Sequence, residues 1–209
     1  MTSSSAVLLD LDGTLVDSVY FHVTAWAEAF HAAGLTVPMA RIHAGIGLGS
    51  DRLLPWLIGH REDAGRISED HARHFLAHAG QLSPTPGARE LLEDLEARSV
   101  PFVVATSAGQ EEREALLAAL GREDLPIVGA DDVESSKPAP DLLVAGRDQL
   151  PGAPGHILMV GDSPWDAIAA TRAGMDAIGV TCGGFADATL RKAGASRVVA
   201  NPADLIGTL

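Results

Sequence analysis

Apolar positions along this 209-residue chain follow two different periods. Three short runs are apolar almost without a break and end on a polar residue or glycine. They are Ala6-Val7-Leu8-Leu9 before Asp10, Pro101-Phe102-Val103-Val104-Ala105 before Thr106, and His156-Ile157-Leu158-Met159-Val160 before Gly161-Asp162. Runs of that length, closed by turn-forming residues, predict strands buried on both faces. A weaker run, Ala177-Ile178-Gly179-Val180, follows Gly174. Between the strands the spacing becomes helical: Leu91, Leu92 and Leu95 within Ala88 to Arg98, Ala115, Leu116 and Ala119 within Glu111 to Leu120, and a short helix from Ala167 to Ala173 stopped by Gly174. Strands alternating with helices imply βαβ units and a parallel sheet, hence an α/β fold.

The interval from Asp17 to Ser83 breaks this alternation, because it holds no comparable strand run. Val23, Trp26, Ala27 and Phe30 form one face of a helix that Gly34 ends. Leu53, Leu54, Leu57 and Ile58 mark a second helix, with Pro55 expected in its first turn, and Phe75, Leu76 and Ala79 a third. The expected organisation is therefore a core formed by residues 1–16 and 84–209, with an all-helical insert over 17–83. Val16-Asp17-Ser18 and Ser83-Pro84-Thr85-Pro86-Gly87 serve as the exit and re-entry hinges.

Charge narrows the choice of partner. The formal net charge is -13, from 15 basic and 28 acidic residues, which repels phosphodiester backbones and anionic lipid. Nucleic acid and membrane partners are disfavoured, and an anionic small molecule would need a cation gathered by acidic side chains. The single cysteine, Cys182, excludes an intrachain disulfide and a cysteine-based zinc site, and it fits a reducing compartment. Met1 to Ser5 lacks the basic and apolar regions of a signal peptide, and no apolar run approaches the ~20 residues of a membrane span, so a cytoplasmic location is expected.

Asp10-Leu11-Asp12-Gly13-Thr14 carries the strongest chemical signal. Two carboxylates two residues apart just past a strand lean the same way if the chain stays extended. One can attack as a nucleophile while the other shuttles a proton. Gly13 permits a sharp turn and close approach to a ligand, and Thr14 offers a hydroxyl to a neighbouring carboxylate. The competing reading is an ordinary strand-end turn, where Asp and Gly are common.

Extended through Leu15-Val16-Asp17-Ser18, this segment resembles the haloacid dehalogenase-like hydrolase superfamily, in its subfamily with a helical cap that includes phosphoglycolate phosphatases and β-phosphoglucomutases. The resemblance spans essentially the whole chain. It implies a Rossmann-like doubly wound parallel sheet with an inserted all-helical cap domain. Val103-Val104-Ala105-Thr106-Ser107 matches the second signature, whose hydroxyl and following N–H groups hold phosphoryl oxygens. Alone, Thr106 would equally suit a helix cap. Ser136-Lys137-Pro138-Ala139-Pro140-Asp141 matches the third, where a lysine neutralises Asp10 and the incoming phosphate. Lys137 and Lys192 are the only two lysines among the 15 basic residues. Gly161-Asp162-Ser163-Pro164-Trp165-Asp166 matches the fourth. There Asp10, the backbone carbonyl of Asp12, and Asp162 would ligate Mg2+. Asp166 would support the metal through water or simply cap the next helix. All four segments are expected directly after strands, on the sheet edge where ligands bind.

The resemblance further implies attack by Asp10, an aspartyl-phosphate, and proton transfer by Asp12, with Thr106 and Lys137 completing the catalytic set. Asp12 also argues against dehalogenation, since the superfamily's dehalogenases lack it. The insert would close over the site, and Gly45-Ile46-Gly47-Leu48-Gly49-Ser50-Asp51-Arg52 lies where such caps read the leaving group. Gly47 and Arg52 are candidate substrate contacts, and Arg52 is balanced against a surface charge at a helix start. His71, His74 and His78 suggest either a metal site or a solvated polar face, and the solvated face is expected. Trp26, Trp56 and Trp165 are expected to pack. The expected activity is hydrolysis of a small phosphorylated metabolite by a monomer or weak homodimer. A phosphomutase and a non-catalytic binding protein on the same fold are the alternatives.

Overall fold

The computed structural model describes residues 5–152 and 154–209, so the leader reading of Met1 to Ser5 falls almost wholly outside it. The strands are β1 (Ser5–Leu9), β2 (Phe102–Ala105), β3 (Ile127–Val128), β4 (His156–Gly161), β5 (Asp176–Val180) and β6 (Ala195–Val199). The α-helices are α1 (Val19–Ala32), α2 (Met39–Gly45), α3 (Ser50–Ile58), α4 (Ala64–Leu76), α5 (Ala88–Ala97), α6 (Gln110–Leu120), α7 (Asp141–Gln149), α8 (Pro164–Ala173) and α9 (Asp187–Ala193).

The six strands form one sheet in the order β3-β2-β1-β4-β5-β6, and every pairing is parallel. The continuous apolar run of β1 is explained by its central place. Val7 and Leu9 face α5 and α6, while Ala6 and Leu8 face α7 and α8, and all four are fully buried. Truncating Leu8 or Leu9 to alanine would cost about 2–5 kcal/mol. The strand order reverses on either side of β1, so the crevice at its C-terminal end is the switch point where open α/β sheets bind ligands.

Helices α1 to α4 are inserted between β1 and α5 and bury a core of their own, built on Val23, Trp26, Phe30, Ile42, Leu53, Leu57 and Ile67. The two connections to this helical cap pair with each other. The Asp17 N–H donates to Ser83 O at 2.8 Å, the Thr85 N–H donates to Leu15 O at 3.0 Å, and Val16 bridges Pro84. Among the described residues, no helix is long and apolar enough to cross a membrane.

Several expectations are corrected. Pro55 lies well inside α3, beyond the first turn. Ala79 opens a separate 3-10 turn after α4 ends at Leu76. The two-residue β3 and the short β6, in which Ser196 and Arg197 interrupt the apolar residues, gave no apolar run, because an edge strand needs to bury only part of its surface.

Candidate active site

The acidic loop is shaped by its link to the sheet. The Asp10 N–H donates to Val160 O at 2.9 Å, which places Asp10 one step beyond β1 and beside the end of β4. Gly13 then turns the chain with φ 72°, where a Cβ would collide with the Asp162 carboxylate and with Val19. That turn brings Asp12 back over the sheet edge. Its Oδ1 accepts from Ser18 Oγ at 2.7 Å and faces His22 Nε2 at 2.8 Å, while its Oδ2 meets the Thr106 hydroxyl at 3.4 Å at the edge of the cavity. Burial opposes ionisation of Asp12, but the His22 charge and hydrogen bond outweigh it and hold the carboxyl below its usual range.

Lys137 is buried, and its Nζ touches Asp10 and lies 2.7 Å from Asp166 Oδ1. Burial works against the ammonium, yet the two carboxylates hold its pKa above the ordinary lysine value. Its segment does not follow a strand directly. It arrives nine residues after β3 by way of a 3-10 turn over Ala130–Asp132, so three of the four segments lie at strand ends and the lysine is delivered by a loop.

Asp10, Asp162 and Asp166 bring their ligand atoms within 4.8 Å of one another, all buried. Burial raises the Asp10 carboxyl to about 7, opposed by Lys137 and assisted by Asp166 and Asp12. Burial together with the Asp10 and Asp166 charges pushes Asp162 well above the ordinary carboxylate value. Thr14 Oγ1 lies 3.4 Å from both Asp10 Oδ2 and Asp162 Oδ1 and spans the pair. One lysine does not balance three buried carboxylates, and Asp162 Oδ2 is buried with no hydrogen-bond partner among the described residues. An all-oxygen cluster with an unpartnered carboxylate oxygen suits a hard divalent cation. Of the two roles expected for Asp166, the capping one is seen, together with a contact to the lysine. Its Oδ2 accepts from Ser163 N at 3.1 Å and Ser163 Oγ at 2.6 Å at the start of α8, while its Oδ1 faces Lys137.

A cavity of about 690 Å³ opens over this cluster between core and cap. Asp10, Asp12, Ser107, Gly47 and the cap residues His22 and His71 line it. Thr106 is buried; its Oγ1 accepts from the Ala108 N–H at 3.0 Å and lies 3.4 Å from Asp12 Oδ2. It therefore shapes the loop before α6, while Glu112 caps that helix through the Gly109 N–H. Ser107 Oγ is buried and unpartnered among the described residues. Gly47 (φ 99°) lets the cap loop press against Ser163, and Trp165 Nε1 donates to Ala44 O at 3.2 Å. Asp51 accepts from Ser136 Oγ across the same seam.

Two cap expectations change. Arg52 does not line the cavity: its guanidinium bonds Ser135 Oγ at 3.0 Å and pairs with Asp51 on the outside. The three histidines do not form a solvated face either. His71 is buried, His74 pairs with Glu28 at 2.9 Å, and His78 lies beyond α4 against Phe21. His22, Ser18 and Glu112 were not expected in the site. The spacing of His22, four residues after Ser18 on the first turn of α1, is a signal that sequence carried. Glu112 is brought in by the fold alone.

The chain matches the family model described as haloacid dehalogenase-like hydrolase over residues 5–174. It is 33% identical over 82% of its length to a probable pseudouridine-5'-phosphatase of Drosophila melanogaster, covering 79% of that protein. It is 33% identical over 85% of its length to a phosphoglycolate phosphatase of Rhodospirillum rubrum, covering 80% of it. The crystal structure of a hydrolase from Pseudomonas syringae superposes with a TM-score of 0.94 at 39% identity, over 97% of this chain and 96% of that one. With the acidic loop, the lysine and the second carboxylate pair on one sheet edge under a helical cap, this chain belongs to the haloacid dehalogenase-like hydrolase family and is one of its phosphatases.

Proposed function

We propose that the protein hydrolyses a small phosphate monoester, of the phosphoglycolate or sugar-phosphate kind, in a magnesium-dependent reaction through a phosphorylated Asp10. The observation that carries this reading is the division of labour between two carboxylates in one pocket: Asp10 lies against Lys137, Thr14 and Asp162, while Asp12 lies against Ser18 and His22. Asp10 attacks phosphorus in line, its oxygen bonding phosphorus as the bond to the leaving oxygen breaks. Asp12, ionised at rest beside His22, takes up a proton with the incoming ester, gives it from Oδ2 to that leaving oxygen and afterwards takes one from the water that cleaves the acyl phosphate. Lys137 offsets charge at the nucleophile, and the Ser107 hydroxyl is free to donate to a phosphoryl oxygen. Thr106 holds the loop that presents it.

Asp10, Asp162 and the Asp12 carbonyl would hold the Mg2+, with Thr14 and Asp166 steadying its carboxylates. The cation would keep Asp10 ionised and neutralise the phosphate. Residues 17–83 act as the cap domain over a core of residues 1–16 and 84–209, with Gly47 on the loop that meets the leaving group. A phosphomutase would use the same Asp10 but must also seat a second phosphate. The residues described as lining the cavity include no lysine or arginine, whereas Asp51, Glu69, Glu111, Asp131 and Glu134 all border it. That lining disfavours a second anion, so it suits a sugar phosphate, whose leaving group is neutral and hydroxyl-bearing, better than phosphoglycolate, whose leaving group carries a carboxylate.

The test is phosphate release from a panel of esters by purified protein with magnesium, including sugar phosphates, phosphoglycolate and β-glucose 1-phosphate with a bisphosphate activator. Release without isomerisation supports the hydrolase. Isomerisation supports the mutase, and no turnover of any ester sinks both.

A further inference from the structure

Asp12 is the first member of a chain of four side chains that crosses from core to cap and back. Its Oδ1 faces His22 Nε2 at 2.8 Å, His22 Nδ1 faces His71 Nε2 at 3.0 Å, and His71 Nδ1 faces Glu112 Oε1 at 3.2 Å. The carboxylates at the two ends belong to the core, on the acidic loop and α6. The two imidazoles belong to the cap, on α1 and α4. Each ring nitrogen serves one neighbour. His22 is stacked on Phe75 with ring centroids 3.8 Å apart, and His71 on Trp26 at 3.9 Å, so neither ring is free to turn. His22 and His71 are both buried, and Glu112 is held from its other oxygen by the Gly109 N–H.

Hydrogen-bond complementarity fixes the order within the chain. A carboxylate at each end can only accept, so His22 Nε2 and His71 Nδ1 must both carry hydrogen. The inner contact then needs a third hydrogen, shared between two nitrogens that face each other. Glu112 thereby dictates which nitrogen of His71 is protonated, His71 in turn orients His22, and His22 holds Asp12 Oδ1, leaving Oδ2 turned to the cavity. Removing the far end releases the near end, although Glu112 Oε1 and Asp12 never touch.

We propose that His71 and Glu112 are positioning residues for proton transfer, acting on Asp12 through His22, so that the aim of Asp12 depends on the cap being seated on α6. The inference rests on the phosphatase reading for its kinetic consequence, but the chain itself is testable in the resting protein.

The kinetic test compares kcat/KM for an alkyl phosphate, whose leaving oxygen needs a proton, with that for p-nitrophenyl phosphate, whose leaving group departs without one. Two variants are used. Glu112→Ala removes the far end of the chain. His71→Phe keeps an aromatic ring against Trp26 and removes both nitrogens. Each is expected to lower kcat/KM for the alkyl ester about 10- to 100-fold and to leave the aryl ester within about threefold. Equal losses on both esters, or no loss on either, overturn the proposal, because a merely structural role does not discriminate between leaving groups.

Proton NMR of the wild-type protein is expected to show exchange-protected imidazole N–H resonances from His22 and His71. In Glu112→Ala the His71 signal disappears and the His22 Nε2–H signal shifts. Absence of a protected His22 signal in the wild type, or a His22 signal unmoved in Glu112→Ala, overturns the proposal whether or not any ester is turned over. Failure of the wild type on both esters would instead count against the phosphatase reading, and the NMR result would still decide the chain.

Discussion

Asp166 Oδ1 lies 2.7 Å from the Lys137 ammonium, and the same ammonium touches Asp10. Asp166 is itself fixed at the start of α8 by Ser163, so a helix terminus in one part of the fold sets where the lysine meets the proposed nucleophile. Lys137→Met would leave three buried carboxylates without their cation. Breaking a buried pair in this way costs about 3–5 kcal/mol, and the loss of charge compensation should lower kcat at least ~100-fold. Asp166→Asn keeps most of the cap on α8 and should cost less in both respects. Phosphate release and thermal melting of the two variants measure this order; the reverse order would remove Asp166 from its supporting place.

Asp10→Asn separates chemistry from folding. The amide cannot attack phosphorus, so turnover should fall by at least ~1000-fold. It also removes one of three crowded buried carboxylates, so the metal-free melting temperature above pH 7 should not drop. Retained turnover would refute Asp10 as the nucleophile. Lost turnover together with lost folding would assign the residue to structure.

The pH dependence of metal binding follows from the same crowding. Asp10 titrates near 7 in the fold against 3.8 as a free side chain, and Asp162 is also raised. A raised carboxyl means that the folded state keeps protons the unfolded chain releases. Metal-free stability therefore falls as pH rises from about 4 to about 7. Magnesium needs these groups ionised, so it must displace protons at low pH and relieves repulsion at high pH. Millimolar magnesium should raise the melting temperature little at pH 5 and clearly more at pH 8. An equal shift at both pH values, or none at either, would count against Asp10 and Asp162 as the ligands.

Those residues were legible in the sequence because their signals are local. Asp10 and Asp162 each end a continuous apolar run, and a strand that must be buried on both faces announces its own end. The parallel sheet was readable for the same reason, and the helical insert was readable from the lack of such runs. What escaped was set by tertiary contact. β3 is two residues long and the apolar residues of β6 are broken by Ser196 and Arg197, so neither carries a period. His71 sits on a helix whose histidines look solvated in one dimension, and it is buried only because Trp26 of α1 and Glu112 of α6 converge on it. Arg52 was left between two readings, and the structure takes the surface charge at a helix start. A cation beside a substrate-reading loop looks like an anion receptor until the helix start turns it outward.

Ser107 and Arg52 give the sharpest contrast between a cavity contact and a surface charge. The Ser107 hydroxyl is buried at the edge of the cavity with no partner among the described residues, and it stands on the loop that Thr106 fixes. An unsatisfied buried donor of this kind is expected to find its acceptor in the bound phosphate. Ser107→Ala should therefore weaken substrate binding about 5- to 30-fold in KM, matching the loss of one charge-assisted hydrogen bond of about 1–2 kcal/mol, with little change in melting temperature. Arg52 is about half exposed and is held outward by Ser135 and Asp51, so Arg52→Ala should change kcat/KM by less than about twofold for any ester. Steady-state kinetics on both variants with one sugar phosphate checks the pair. A large KM effect at Arg52 with none at Ser107 would mean that the cap reorganises on binding and swings the guanidinium into the cavity.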